Sequence, residues 1–187
     1  MPRAGLTTAR VVDVAAEVAD VAGWEALSLA AVAERCGVRL PSLYKHVRSV
    51  DAVRLEVSAL ALRELGAAVT TAVVGRARGD AVHAMARAWR AYARTHPGRY
   101  AATVAAPTGA HEGQAEAAAA LLGVVEATLA GYGLTGDDAI DAARALRSAL
   151  HGFVDLENHG GFGLPVDVDR SFERLVSALE RDMRTWV

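Results

Sequence analysis

Apolar side chains recur along this chain at the three- and four-residue spacing of helices, and no stretch sustains the alternation of a strand. From Thr7 to Ala22, the positions Val11, Val14, Ala15, Val18, Ala19 and Val21 predict a helix, with Thr7 or Thr8 as its cap and Gly23 as its stop. Trp24 and Leu27, in the connector that follows, are expected to plug the core. Ser28 caps a short second helix with Leu29, Val32 and Ala33 inward. It stops at Cys36-Gly37, and Val38 turns back toward the core. Pro41 opens a third short helix, in a first turn where the missing N–H costs nothing. There Leu43 and Val47 face the core at i and i+4, leaving Ser42, Tyr44, Lys45, His46 and Arg48 outward. Ser49 caps a long fourth helix, Val50 to Val74, apolar on much of its circumference (Val53, Val57, Leu60, Leu62, Leu65, Val69). Such a helix must be covered on more than one side, so it links a small head to a larger body.

The body continues in the same period. Asp80 is read as the cap of a fifth helix carrying Val82, Met85, Trp89 and Tyr92 on one face, broken at His96-Pro97-Gly98. A sixth runs from Arg99 to Ala105 and is ended by Pro107 and Gly109; a seventh spans Glu112 to Ala130. The eighth extends from Asp137 to about His159. The last begins at Asp167 or Asp169, with Phe172, Leu175, Val176, Leu179, Met183 and Trp186 in step. No internal repeat interrupts this order.

Composition narrows the class. Hydrophobic residues make up 52% and charged residues 22% of the chain, a globular balance rather than a disordered one. Aromatics are only 5%, and alanine dominates the apolar share, which favours helices packed closely through small side chains. One cysteine, Cys36, excludes a disulfide framework and suits a reducing compartment. The amino-terminal stretch carries Asp13, Glu17 and Asp20 where a signal peptide is uninterruptedly apolar, and no window resembles a membrane span. A soluble, cytoplasmic, all-α protein without a membrane partner is expected.

Charge then singles out one segment. The net charge of −2 argues weakly against nucleic acid, but its distribution does not. Between Glu34 and Arg54, five basic side chains (Arg35, Arg39, Lys45, Arg48, Arg54) stand against Glu34 and Asp51, a local excess of +3 on a body of −5. Lys45, the only lysine in the chain, lies within Arg39-Leu40-Pro41-Ser42-Leu43-Tyr44-Lys45-His46-Val47-Arg48. Two short helices joined by a glycine-containing turn, after a longer supporting helix, form a helix-turn-helix arrangement. A proline-led helix presenting Tyr, Lys and His together suits DNA phosphates and base edges better than small-molecule chemistry. An ordinary helical hairpin with a solvated basic face leaves that combination unexplained.

On these residues the stretch from Thr7 to Val57 resembles the amino-terminal domain of TetR-type transcriptional repressors. The matching features are the first helix, Gly23, Ser28-Leu29-Ala30-Ala31-Val32-Ala33, Gly37-Val38, and Pro41-Ser42-Leu43-Tyr44-Lys45-His46-Val47 followed by Ser49. His96-Pro97-Gly98-Arg99-Tyr100 and Leu150-His151-Gly152-Phe153-Val154-Asp155-Leu156-Glu157 look like the effector domain of the Trp-His-Gly subgroup, with Arg147 at the tryptophan position. The resemblance implies an all-α chain: a three-helix head joined by a long fourth helix to a five- to six-helix ligand-binding and dimerisation body. The head would be residues 1–52, with its motif at about 28–47, and the body 53–187. It further implies a homodimer through the last two long helices, a double-stranded operator, and a small-molecule effector, apolar or aromatic, that alters the spacing of the two heads. No catalytic residue, cofactor or metal is implied. Carried over by position, Tyr44 and His46 hold phosphates, as does Thr7 or Thr8, and Ser28 caps and touches backbone. Arg39, Leu40, Ser42 and Lys45 face base edges. Three departures matter. Arg39 occupies the usual cap position, where it caps poorly and leaves its side chain to DNA. Leu40 stands where a polar reader often sits, which suits a thymine methyl, and Val50 replaces a frequent basic residue, leaving Arg48 to supply that charge.

Elsewhere the residues leave alternatives open. Met85, Trp89 and Tyr92, with Tyr100, His151 and Phe153, can line an apolar cavity with a few polar handles, or the aromatic stripe can be plain core. His151, Asp155 and His159 share a helix face, so a metal-dependent enzyme is one rival; it lacks a nucleophile and ligands on a second helix. A helical protein-interaction module is another. His83, His96 and His111 are expected to be solvated, and Cys36 to be small buried filling.

Overall fold

The computed structural model describes residues 6–106 and 111–186. Among them nine helices and no strand occur: α1 (Thr8–Ala22), α2 (Leu29–Cys36), α3 (Leu40–Leu43), α4 (Val50–Val73), α5 (Arg78–Thr95), α6 (Pro97–Ala102), α7 (Glu112–Ala130), α8 (Gly136–Asn158) and α9 (Val168–Met183). The chain is all-α, as the apolar spacing predicts. Two compact units divide it, one holding the chain up to Arg63 and His96–Ala118, the other Glu64–Thr95 and the chain from Ala119 onward.

In the first unit the helix starts follow capping chemistry. Thr7, in extended backbone, accepts from the Arg10 N–H at 3.2 Å, so Thr7 rather than Thr8 is the cap of α1. Ser28 accepts from the Ala31 N–H at 3.3 Å and Ser49 from that of Ala52 at 3.1 Å. α2 ends on Gly37 in the left-handed conformation (φ +67°), where a side chain would be strained. Arg39 precedes α3 without a side-chain cap bond, and Pro41 lies in its first turn. Val11, Val14, Ala15 and Val18 of α1 pack with Leu29, Val32, Leu43, Val47, Val53 and Val57 in one buried cluster. Val21, counted on the inward face, is instead exposed, because the apolar stripe of α1 runs out one turn before the helix does.

α6 begins at Pro97, not Arg99, and ends at Ala102, not Ala105. The proline starts the helix for the same reason that Pro41 does; Pro107 and Gly109 lie outside the described residues. α6 abuts α1 so closely that a Cβ on Gly98 would come 2.0 Å from the Ala19 carbonyl oxygen. The Asp20 carboxylate accepts from the Arg99 N–H at 2.8 Å and lies 3.2 Å from His96 Nδ1 and 3.1 Å from Arg99 Nε. Ser58 of α4 donates to the Ala102 carbonyl at 2.7 Å and accepts from Gln114 Nε2 at 2.8 Å.

In the second unit α5, α8 and α9 pack together around Met85, Leu146, Leu150, Val154, Phe172 and Val176. α5 starts at Arg78, so Asp80 sits in its first turn rather than capping it. Asp167 caps α9 through the Asp169 N–H at 2.9 Å. Charged groups also enter this interior. Arg90, 8% exposed, donates through Nε (2.8 Å) and Nη2 (2.6 Å) to Glu157 and through Nη2 to Asp169 at 2.7 Å, with its guanidinium over the rings of Phe172 (4.7 Å) and Phe153 (5.5 Å). Glu173 receives both Arg87 Nε (2.6 Å) and Nη2 (2.8 Å), which holds its carboxyl below the usual range.

The three histidines read as solvated are half-buried, and each faces a carboxylate: His83 with Glu173 (3.1 Å), His96 with Asp20 (3.2 Å) and His111 with Glu56 (3.1 Å). His83 lies within α5 and His96 and His111 just before α6 and α7, and a carboxylate from α9, α1 or α4 faces each one.

Candidate nucleic-acid interface

α3 has only four residues, so its direction is set by what it buries. Leu43 and Val47 enter the core, and the side chains between and around them turn away from it. Tyr44 is 56% and Leu40 37% exposed; Arg39, Lys45 and Arg48 are exposed as well. Ser42 and His46 were expected outward but are half-buried. The chain curls back after α3, and the His46 carbonyl accepts the Thr8 hydroxyl at 3.1 Å. Thr7, Thr8 and Ser28 are exposed, and the same bond brings the start of α1 beside the end of the α3 segment.

The charges sort themselves. Arg35 pairs with Glu17 at 3.6 Å, and Arg10 lies 3.9 Å from the same carboxylate. Arg54 turns to the Glu25 carbonyl (3.2 Å) and over the Trp24 ring (5.5 Å). Among the described residues no ion pair engages Arg39, Lys45 or Arg48, so these three remain as outward cations around the Tyr44 phenol. Of five basic groups in the patch, the packing leaves the three of the α3 segment for a partner. Cys36 is half-buried against the same core, and burial pushes its thiol up, away from a reactive thiolate.

This arrangement, a short helix with flanking turns (residues 39–48) that present phenol, ammonium and guanidinium groups outward from a helical core, is that of a DNA-reading head. Residues 11–57 match the family model described as bacterial regulatory proteins of the tetR family, and residues 82–179, more than half the chain, match the tetracyclin repressor-like C-terminal domain. The chain belongs to the TetR family. It is 38% identical over 181 residues to the HTH-type transcriptional regulator Rv0681 of Mycobacterium tuberculosis, covering 96% of this chain and 83% of that one. Similar solved structures include BioQ with its natural double-stranded DNA operator (TM-score 0.72, 20% identity, 97% of this chain and 99% of that chain). Another is a TetR variant from Acinetobacter baumannii AYE in complex with minocycline (TM-score 0.72, 20% identity, 95% and 96%). At these identities the two structures show a shared fold. This TetR-family chain is thus a transcriptional regulator with a DNA-binding helix-turn-helix.

The residues read as effector contacts are placed as follows. Met85, Trp89 and Tyr92 are buried on α5 in the second unit, where the Tyr92 hydroxyl donates to Glu64 at 2.9 Å. His151 and Phe153 are half-buried on α8, with Phe153 against Phe162 (4.8 Å between centroids) and Phe172 (5.1 Å). Tyr100 is buried in the first unit. The Phe153–Phe172–Arg90 cluster was only partly foreseen. Arg90 lies on the same buried side of α5 as Met85, Trp89 and Tyr92, a signal available in the spacing but overlooked because it is charged. Glu157, beside the His151-Asp155-His159 stripe, is bound by Arg90. Among the described residues no three His, Cys, Asp or Glu side chains are grouped to hold a metal, and no helix is long and apolar enough to cross a membrane.

Proposed function

We propose that the chain is a cytoplasmic, ligand-responsive repressor that binds a palindromic operator as a homodimer, with residues 1–52 as the reading head and 53–187 as the body. The observation that carries this reading is the outward, uncompensated set of Arg39, Tyr44, Lys45 and Arg48 around a helix anchored by Leu43 and Val47. In the proposed complex Tyr44, His46, Arg48 and the start of α1 hold phosphates, and Ser28 touches backbone. Arg39, Leu40, Ser42 and Lys45 face base edges. Exposed Ile140 and Leu156 on α8 support a second copy packing on the α8–α9 side. The effector is proposed to be apolar or aromatic and to meet Met85, Trp89, Tyr92, His151 and Phe153, which fits the aromatic character of that interior. The similar BioQ structure with its DNA operator and the TetR variant in complex with minocycline accord with both halves of the proposal.

The physical logic is multivalency. One head with about five phosphate contacts binds weakly and with strong salt dependence. Two heads reading half-sites about 34–36 Å apart gain affinity through effective concentration. An effector that favours a different spacing removes that gain, and a coupling of about 1–3 kcal/mol shifts occupancy severalfold. The test is a mobility-shift titration on a duplex selected from a random pool. Tyr44→Phe and Lys45→Ala should each weaken binding about tenfold or more; unchanged affinity in both variants refutes the reading.

A further inference from the structure

We propose that Thr8 is a positioning residue that sets the reading helix against α1, and that of the two threonines only Thr7 is able to donate to a backbone phosphate. The proposal rests on the DNA-binding reading above.

A hydroxyl has one hydrogen to give. Thr8 gives its hydrogen to the His46 carbonyl at 3.1 Å, across 38 residues of sequence. Phosphate oxygens only accept, so while that bond stands Thr8 has nothing to offer them. Thr7 is placed the other way round: its oxygen accepts from the Arg10 N–H at 3.2 Å, and its hydrogen stays available to an outside acceptor. Both side chains are exposed, so accessibility does not separate them; hydrogen-bond direction does.

The α3 segment needs such a tie. Its own bonds are local: Ser42 N–H to the Arg39 carbonyl (2.8 Å), His46 N–H (2.9 Å) and Val47 N–H (3.1 Å) to that of Leu43. Leu43 and Val47, buried on one side, fix how deep the segment sits. They do little to stop it rolling about the line that joins them. Among the described residues the Thr8 bond is the hydrogen bond that joins residues 39–48 to another helix. It acts at His46, next to Lys45 and two residues from Tyr44, so a roll there displaces the groups that face DNA.

The two roles part on sequence dependence. A lost phosphate contact weakens binding to every duplex alike, whereas a misplaced reading helix weakens binding to the cognate sequence. Thr8→Val, which keeps shape and removes the hydroxyl, is compared with Thr8→Ser, which keeps it, and with Thr7→Val. Each is titrated against the selected duplex and against a scrambled duplex of equal length, with thermal unfolding as the check on folding. The expected result is a loss of about threefold to tenfold for Thr8→Val on the selected duplex only. Thr8→Ser should restore it, and Thr7→Val should lose a similar factor on both duplexes. Equal losses on both duplexes for Thr8→Val, no loss at all, or no restoration by serine would overturn the proposal. Wild-type protein that retains no duplex from a random pool overturns the DNA reading, and this inference with it.

Discussion

Replacing Gly98 with alanine should cost far more than one methyl group ordinarily does. The new Cβ would stand 2.0 Å from the Ala19 oxygen, 2.1 Å from the Ala19 carbonyl carbon and 2.5 Å from the Asp20 nitrogen. All three are backbone atoms, so no side chain can rotate out of the way. Real Cβ contacts essentially never fall below 3.0 Å, so α6 and α1 must part by about 1 Å. Forced separation of packed elements costs ~1–3 kcal/mol. The same movement takes the Arg99 N–H, now 2.8 Å from Asp20, beyond good hydrogen-bond range, a loss of ~1.5–3 kcal/mol for a bond to a charged acceptor. Together about 2.5–6 kcal/mol is expected, a large share of the stability of a small domain.

Urea unfolding followed by far-UV circular dichroism measures this directly. Gly123→Ala is the control: that helical glycine has nothing within 4 Å of its built Cβ, so alanine should stabilise by ~0.5–1 kcal/mol. Asp20→Asn separates the two contributions. Alone it should destabilise, but in the Gly98→Ala background it should add little, because the bond it weakens is already stretched. Gly98→Ala protein as stable as wild type would refute the close crossing and everything argued from it about α6.

Two further predictions concern acid and sequence recognition. Burial raises the Glu180 carboxyl, but hydrogen bonds from Arg184 Nε (2.7 Å) and the Tyr132 hydroxyl (2.8 Å) more than offset this, and its pKa is lowered on balance. A carboxylate with a depressed folded-state pKa stabilises fully above its unfolded value of ~4.3 and loses that contribution as pH falls through the folded value. Wild type should therefore exceed Glu180→Gln in unfolding free energy at pH 7, with the gap closing in acid; a gap that widens below pH ~4 contradicts the assignment. Leu40, partly exposed among polar neighbours, should favour thymine at one position of each half-site. Uracil in place of that thymine should weaken wild type severalfold and leave Leu40→Ala unaffected, and equal sensitivity in both proteins would rule out the methyl contact.

What the sequence disclosed depended on how local the cause was. The head was legible almost residue by residue, since caps at Thr7, Ser28 and Ser49, the turn at Gly37 and the proline at α3 each act within four residues of themselves. The inward set of α2 and α3 followed from spacing alone, as Leu29, Val32, Leu43 and Val47 show. The misses share one physical origin. His46 and Ser42 were placed outward because a helical wheel knows nothing of the curl after α3. His83, His96 and His111 were read as solvated because Glu173, Asp20 and Glu56, which face them, lie 90, 76 and 55 residues away. The start of α6 was misplaced although Pro97 carried the same message as Pro41, because its neighbour Gly98 reads as a breaker until α1 is seen to need that space.

The same contrast bears on how such a regulator divides its charges. In the head, packing consumes Arg35 and Arg54 and leaves Arg39, Lys45 and Arg48 for a partner. In the second unit it does the reverse: Arg87 and Arg90 are held by Glu173, Glu157 and Asp169. A buried arginine with bidentate carboxylate partners adds little net stability, since desolvation opposes the attraction, yet removing one partner leaves a costly bare charge. Such a cluster tolerates few alternative packings of α5, α8 and α9. Arg90 also rests on the rings of Phe153 and Phe172, so any ligand that displaced Phe153 would disturb the ion pairs as well as the aromatic contacts. A body with few alternative packings, rather than one that deforms smoothly, is what the proposed dimeric reader of two spaced half-sites would require.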